Sequence, residues 1–134
     1  MSITRDISSA LEGRLNTLPS LPSVAWPNVK FTPTNSETYL RVTNLRSDTS
    51  TISQDSTEQH TGIFQVDVFA PYNGGSGVAE NLADSIADHF AANRTLIKGV
   101  AEVYIRNISV EVGATFADRH VIPVSINYDA YHKR

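Results

Sequence analysis

Two stretches of about ten residues alternate apolar and polar side chains, and this period of two constrains the fold more than any other feature. In residues 61–70 the apolar positions recur at every second residue from Phe64, and in residues 121–130 they recur from Ile122. Such alternation predicts strands with one buried face. Pro123 lies inside the second stretch, and because proline cannot donate a ladder hydrogen bond, it favours an edge strand or a strand start.

Two further strands are predicted, over residues 38–46 and 100–112. In the longer one, the apolar side chains occupy odd positions before Arg106 and even positions after Asn107. A single extra residue in a strand shifts the alternation in this way, so the sequence predicts a β-bulge at this point.

Residues 3–18 and 78–92 have the helical period instead, with apolar side chains three and four positions apart. Pro19 ends the first helix. Helices and strands in this order predict an α+β fold, with two helices packed on a mixed, mostly antiparallel sheet. The length of 134 residues suits one domain spanning 1–134.

Residues 47–60 do not fit either pattern. Seven of these fourteen residues are Ser or Thr, and Ile52 is the only aliphatic one. A segment of this composition lacks the apolar surface to bury itself, so we predict a flexible polar loop that a partner would order.

Composition excludes several functions. The chain has no cysteine, which rules out disulfides, zinc–thiolate sites and cysteine nucleophiles. The net charge of −3 gives no general affinity for nucleic acid. No apolar stretch approaches the roughly 20 residues that span a bilayer, so we predict no membrane partner.

The glycine-rich residues 73–77 lie between a strand and a helix, where phosphate-binding loops occur. The motif lacks the Lys and Ser/Thr of a P-loop, and Glu80 would repel a phosphate at the helix start. We therefore interpret this segment as a turn in which Ser76 or Gly77 caps the helix.

The second helix carries acids on its polar side, at Glu80, Asp84 and Asp88. Paired carboxylates can hold a metal or transfer protons, but on an amphipathic helix they favour a solvated face or a surface for a basic partner. His89 falls within the apolar arc, which indicates a partly buried histidine bonded to the backbone. We predict no catalytic residue, no metal site and no cofactor.

Three stretches resemble a known family: residues 62–71, which end in Ala-Pro; the alanine-rich residues 79–90; and the Pro-Val-x-Ile-x-Tyr stretch in residues 121–130. Their order and the total length resemble the tail terminator proteins of long-tailed bacteriophages. This resemblance implies a tail-terminator-like fold and a homohexameric ring that caps the tail tube, ends tail polymerisation and provides the head-attachment surface. It implies the tail tube protein and a head–tail connector protein as partners, DNA passing through without specific binding, and assembly in the host cytoplasm into the virion tail or neck.

On such a ring, the polar loop would contact the tube or line the lumen, and the acids of the second helix would form a surface for a partner. The loop candidates are Arg46, Asp48, Ile52, Asp55 and Glu58. Pro123 tells against extension of the sheet through the last strand, which leaves residues 100–112 or the helix faces as better interface candidates. The alternatives are another phage neck or head-closure protein, or a small ligand-binding or enzymatic α+β domain that uses the glycine loop and His89.

Overall fold

A computed structural model describes residues 3–27, 29–32, 37–46, 50–51, 58–71, 77–116 and 119–132. These residues form two helices and eight strands. In chain order they are α1 (Ile3–Asn16), β1 (Ser23–Ala25), β2 (Tyr39–Arg46), β3 (Ser50–Thr51), β4 (Glu58–Pro71), α2 (Gly77–Ala91), β5 (Thr95–Lys98), β6 (Ala101–Val110), β7 (Ala114–Phe116) and β8 (Arg119–His132).

The strands form one sheet in the order β1-β2-β4-β8-β6-β5, with β3 beside β4 and β7 beside β8. The β1–β2 pair is parallel, and every other pair is antiparallel. The predicted α+β class and the mixed, mostly antiparallel sheet are therefore confirmed.

The core lies between the two helices and one face of the sheet. Alternation in β4 and β8 places every second side chain on this face, as the period of two requires. The largest fully buried side chains come from both helices and the central strands: Tyr128, Phe64, Phe90, Ile7, Leu11, Leu15, Leu40, Ile86, Ile126, Val66, Val68 and Val103. Removing a side chain of this size from water contributes roughly 1.5–3 kcal/mol.

The prediction that Pro123 marks an edge strand or a strand start is wrong. β8 is a central strand between β4 and β6, and Pro123 is its fifth residue. Its carbonyl accepts a hydrogen bond from the Glu111 backbone N–H at 2.8 Å, so its ring nitrogen faces the same side. On that side the chain lies between the end of β6 at Val110 and the start of β7 at Ala114, where no regular ladder needs a donor.

The predicted bulge is confirmed. Ile105 lies opposite Tyr128 and Asn107 lies opposite Asn127, which leaves Arg106 as the extra residue of β6. Its guanidinium pairs with the Asp129 carboxylate at 3.1 Å. β6 ends at Val110, two residues earlier than predicted.

Candidate functional site

The acidic surface consists of Glu80, Asp84 and Asp88, which all lie at exposed positions of α2. The helix packs on the sheet through Ala83 and Ile86, which turns the three acids towards solvent. Within the described ranges, no three His, Cys, Asp or Glu side chains are arranged to hold a metal ion. Glu80 and Asp84 border a groove of about 330 Å³ that reaches the end of β6.

Of the predicted polar loop, residues 47–60, the structure describes residues 50–51 and 58–60. Arg46 ends β2 and is exposed, whereas Asp48, Ile52 and Asp55 lie outside the described residues. Glu58 belongs to β4, where it pairs with residue 51 of β3. The structure thus gives backbone pairing to part of the range 47–60, because β3 and the start of β4 fall within it.

Glu58 lies between two histidines. Its Oε1 is 3.7 Å from His60 Nε2 and 3.6 Å from His132 Nδ1. Both histidine side chains are largely buried beside the carboxylate, so this group ties the end of β8 to the start of β4. The sequence spacing of these three residues gave no sign of the contact.

His89 joins the two helices rather than facing a substrate groove. Its Nε2 is 2.9 Å from the Arg14 carbonyl and 2.8 Å from Thr17 Oγ1. In return, the Arg14 guanidinium donates two hydrogen bonds to the His89 carbonyl, at 2.5 and 3.1 Å. The prediction of a partly buried histidine bonded to the backbone is confirmed, and these contacts occupy the group that an enzymatic reading would use.

The sheet face away from the helices carries an aromatic cluster that the sequence did not reveal. The rings of Tyr39 and Phe69 stack with centroids 4.7 Å apart. Arg41 lies over the Phe69 ring at 5.2 Å, and Arg119 lies over the Tyr39 ring at 4.9 Å. The two aromatic residues sit at positions of their strands that alternation assigns to the polar face.

β2 and β6 are each only partly paired on the side that faces away from the centre of the sheet. β1 pairs with β2 only at residues 39–41, and β5 pairs with β6 only at residues 101–104. Ile105 adds one bond, from its N–H to the Arg94 carbonyl. In the described part of the chain, this leaves residues 42–45 of β2, the β2 half-edge, and residues 107–110 of β6, the β6 half-edge, without a strand on one side.

The two half-edges occupy equivalent positions along the strand direction, on opposite sides of the sheet. Strand register connects each residue of one half-edge with one residue of the other through β4 and β8. The four levels are Val42–Val66–Val124–Val110, Thr43–Gln65–Ser125–Ser109, Asn44–Phe64–Ile126–Ile108 and Leu45–Ile63–Asn127–Asn107. Unpaired strand edges are places where other chains add strands.

Neither helix in the described ranges has the length and apolar character of a membrane span. The described residues thus present two half-edges, an acidic helix face, and a sheet face that carries the buried stack of Tyr39 on Phe69 and the pair Tyr104–Tyr131.

Comparison with known proteins agrees with this reading. A model of the family described as phage tail terminator protein matches residues 6–128. A solved structure that is 36% identical superimposes with a TM-score of 0.75, over 97% of this chain and 96% of the other. No curated protein matches the chain. Because the family match covers most of the sequence, the chain belongs to the phage tail terminator proteins, a structural and non-enzymatic family that takes part in tail assembly with other tail proteins and resides in the virion tail.

Proposed function

We propose that this protein closes into a ring of six copies that caps the tail tube, ends tail polymerisation and offers the surface to which the head connector binds. Family membership supports a tail-assembly role. The observation that carries the ring is the pair of unlike half-edges on opposite sides of one sheet. Contact between unlike surfaces of identical subunits produces a ring whenever its rotation closes.

The ring assembles in the host cytoplasm and meets the tail tube protein on one face and the connector protein on the other. We assign the acidic surface to a basic partner on one of these faces, because opposite charges steer association and fix orientation. We assign the residues Arg46, Asp48, Ile52, Asp55 and Glu58 to contact with the tube or to the lumen. DNA passes through the ring without specific binding, since the net charge of −3 repels rather than retains it.

The direct test is the mass of the purified protein in solution, measured by light scattering over a concentration series. Six copies of the 14.7 kDa chain weigh about 88 kDa. We expect this mass, a ring in negative-stain images, and tubes that stop growing when the protein is added to polymerising tail tube protein.

Two results would contradict the proposal. One is a protein that forms no ring either alone or at the ends of tubes. The other is a ring that binds the connector protein but leaves tube growth unchanged, which would indicate a different neck protein.

A further inference from the structure

We infer that neighbouring subunits of the proposed ring join through the outermost strands of the sheet, so that β1 and β3 of one copy lie beside β7 and β5 of the next, respectively. This inference rests on the proposed ring and names the surfaces that build it. Its occupant is a second copy of this chain, because the two sides of the sheet match each other in outline, direction and hydrogen-bonding phase.

The outline matches because the sheet is five strands wide near both ends, with the two ends offset by one strand. In the described residues, the strands at the level of Tyr39 are β1, β2, β4, β8 and β7, whereas at the level of Gln59 they are β3, β4, β8, β6 and β5. Each side therefore projects by one strand where the other side recedes. Two copies placed five strand spacings apart, about 24 Å, fit without overlap, and their half-edges stay two strand spacings apart.

The directions are also compatible. A ring whose axis lies along the strands preserves the direction and the level of each strand from one copy to the next. β1 is parallel to β2, and β7 is antiparallel to β8, so β1 of one copy runs antiparallel to β7 of the next. By the same reasoning, β3 of the first copy runs parallel to β5 of the next. Both arrangements are ordinary strand pairs.

Pro123 sets the hydrogen-bonding phase of the whole sheet. Its carbonyl bonds Glu111, so odd-numbered residues of β8 direct their backbone groups towards β6 and β7, whereas even-numbered residues such as Val124 direct theirs towards β4. In an antiparallel ladder, both members of a pair point either towards each other or away from each other. On the β6 half-edge, Val110 lies opposite Val124 and therefore points out of the sheet.

At the contact of β1 with β7, outward-pointing backbone groups face each other. Ala114 and Val121 point to each other, so the residue before Ala114, Gly113, points out of the sheet. On the other side of the sheet, Leu40 points to β1 and bonds the two neighbours of its parallel partner Val24, so Val24 also points out. Val24 and Gly113 share one level, and they would exchange two backbone hydrogen bonds across the contact.

The contact of β3 with β5 is in phase as well. The Arg94 carbonyl accepts a hydrogen bond from β6, so alternate residues of β5 point to β6 and Ile97 points out of the sheet. Gln59 and Ser50 point to each other, so Thr51 points out. In a parallel ladder, a residue bonds the two neighbours of its level partner. Because Ile97 lies level with Ser50, it would bond Thr51, and both contacts form without displacement along the strands.

The turn between Trp26 and Val29 lies in the space that remains between the two half-edges. The Val29 N–H bonds the Trp26 carbonyl at 3.2 Å, and the turn borders Val42 and Thr43 of the β2 half-edge across a groove of about 260 Å³. Val42 shares its level with Val110. Val29 is 60% exposed and Val110 is 41% exposed, and the contact would bring them together. Each copy thus contributes an aliphatic side chain that the subunit alone leaves uncovered.

A disulfide tests the contact of β1 with β7 directly, because the chain has no native cysteine. Ser23 and Ala114 are exposed and share one level, and they would form a non-hydrogen-bonded pair across the contact, with Cα atoms about 4.5 Å apart. Within one subunit, four strand spacings separate them by about 19 Å, far beyond the roughly 7 Å that a disulfide spans. Any bridge in the variant Ser23→Cys/Ala114→Cys must therefore join two copies.

The experiment treats the assembled variant with oxidised glutathione and separates the products on a denaturing gel with and without reductant. We expect covalent bands up to six subunits that collapse to one on reduction. The control Ser23→Cys/Ser109→Cys also replaces two exposed residues, but its second thiol lies four levels away, at about 14 Å, and should give no bridged products.

A second variant tests the contact without a thiol. Val24→Pro removes the outward-pointing N–H of β1, which makes no bond within the subunit. We expect it to lower the assembled mass measured by light scattering. A Val24→Pro protein that keeps the mass of six subunits would overturn the contact.

The possible outcomes separate this inference from the proposed function. A particle with the mass of six subunits that yields no covalent bands overturns the contact and leaves the ring intact. Equal bridging in the test variant and the control overturns the register. A wild-type protein that forms no ring, alone or on tail tubes, overturns both the contact and the ring.

Discussion

The central strands β4 and β8 and the two half-edges all alternate apolar and polar residues, but the central strands are paired on both sides and the half-edges on one. β4 and β8 are each fourteen residues long, pair with each other along their whole length, and bury Phe64, Val66 and Val124 completely. The half-edges are paired on one side only and leave Leu45 and Val110 about half exposed. The comparison shows that the centre of the sheet stabilises the subunit, whereas in the described residues its sides keep unpaired strand edges, which the proposed ring would use.

The largest effect should come from the centre. Phe64 is fully buried and packs against Phe90, with ring centroids 5.9 Å apart. We expect Phe64→Ala to lower the free energy of unfolding by about 3–5 kcal/mol, because it creates a cavity in the core. Urea unfolding at one fixed protein concentration measures this loss. Ile97→Ala, at a side chain that is 72% exposed, is the matched control and should change stability by less than about 0.5 kcal/mol.

Two proline variants test whether a backbone N–H in a central strand contributes more to stability than one at a half-edge. The Val124 N–H points to β4 and Val124→Pro would leave a buried ladder carbonyl unpaired, so we expect a loss of more than about 2 kcal/mol. The Val110 N–H points out of the sheet, so Val110→Pro should cost the subunit less than about 1 kcal/mol and still lower the assembled mass. Equal destabilisation by both prolines, with the assembled mass unchanged by Val110→Pro, would show that the half-edge has no special role.

Pro123 shows how far the sequence could lead here. Alternation identified which face of β8 is buried, and the phase change located the bulge at Arg106, because both are local properties of the chain. Whether β8 is central or at an edge depends on its pairing with β4 and β6, whose residues are distant in sequence. The sequence rule for proline was sound, but the gap between β6 and β7 that satisfies it was not visible locally.

The candidate site was predicted even less completely, for the same reason. The acids of α2 follow from the helical period, so their exposure was predictable. The half-edges exist only because β1 and β5 are shorter than the strands they cover, and both are too short to give a periodic signal. The contact of Glu58 with His60 and His132, and the stack of Tyr39 on Phe69, likewise depend on strand register.

A smaller effect should come from Tyr128, at the border between the core and the β2 half-edge. Burial raises the pKa of the Tyr128 hydroxyl above its ordinary value of 10.0. The hydroxyl also donates a hydrogen bond to Asn44 Oδ1 at 2.8 Å. The folded protein therefore holds this proton more tightly than the unfolded chain. Its contribution to stability is complete below about pH 10 and is lost as the pH rises through the folded-state pKa.

Tyr128→Phe should cost about 1 kcal/mol at pH 8, because the hydrogen bond to Asn44 is lost, and should flatten the decline in stability above pH 10. Urea midpoints between pH 8 and pH 11.5 measure both. Tyr104→Phe is the comparison: the pKa of Tyr104 is raised chiefly by its hydrogen bond to Glu102, but that hydroxyl is exposed to solvent, so its removal should alter the decline less. An alkaline decline that is the same in wild type and Tyr128→Phe would refute this assignment.

The smallest effect on the subunit should come from the acidic surface, because its three side chains are exposed and contribute nothing to the core. Replacing its three members together, as Glu80→Gln/Asp84→Asn/Asp88→Asn, should lower stability by no more than about 1 kcal/mol. The main loss is the favourable position of Glu80 in the first turn of α2. The variant should retain the mass of the assembled wild type, because the half-edges are unchanged.

If the acidic surface meets a basic partner, binding of the variant to the tail tube or to the connector should weaken. Binding should also become less sensitive to salt, because the charge attraction that salt screens has been removed. Wild-type binding to both partners, measured across a salt series, would remove the acidic surface from the assembly and leave the edges of the sheet as the contacts to pursue.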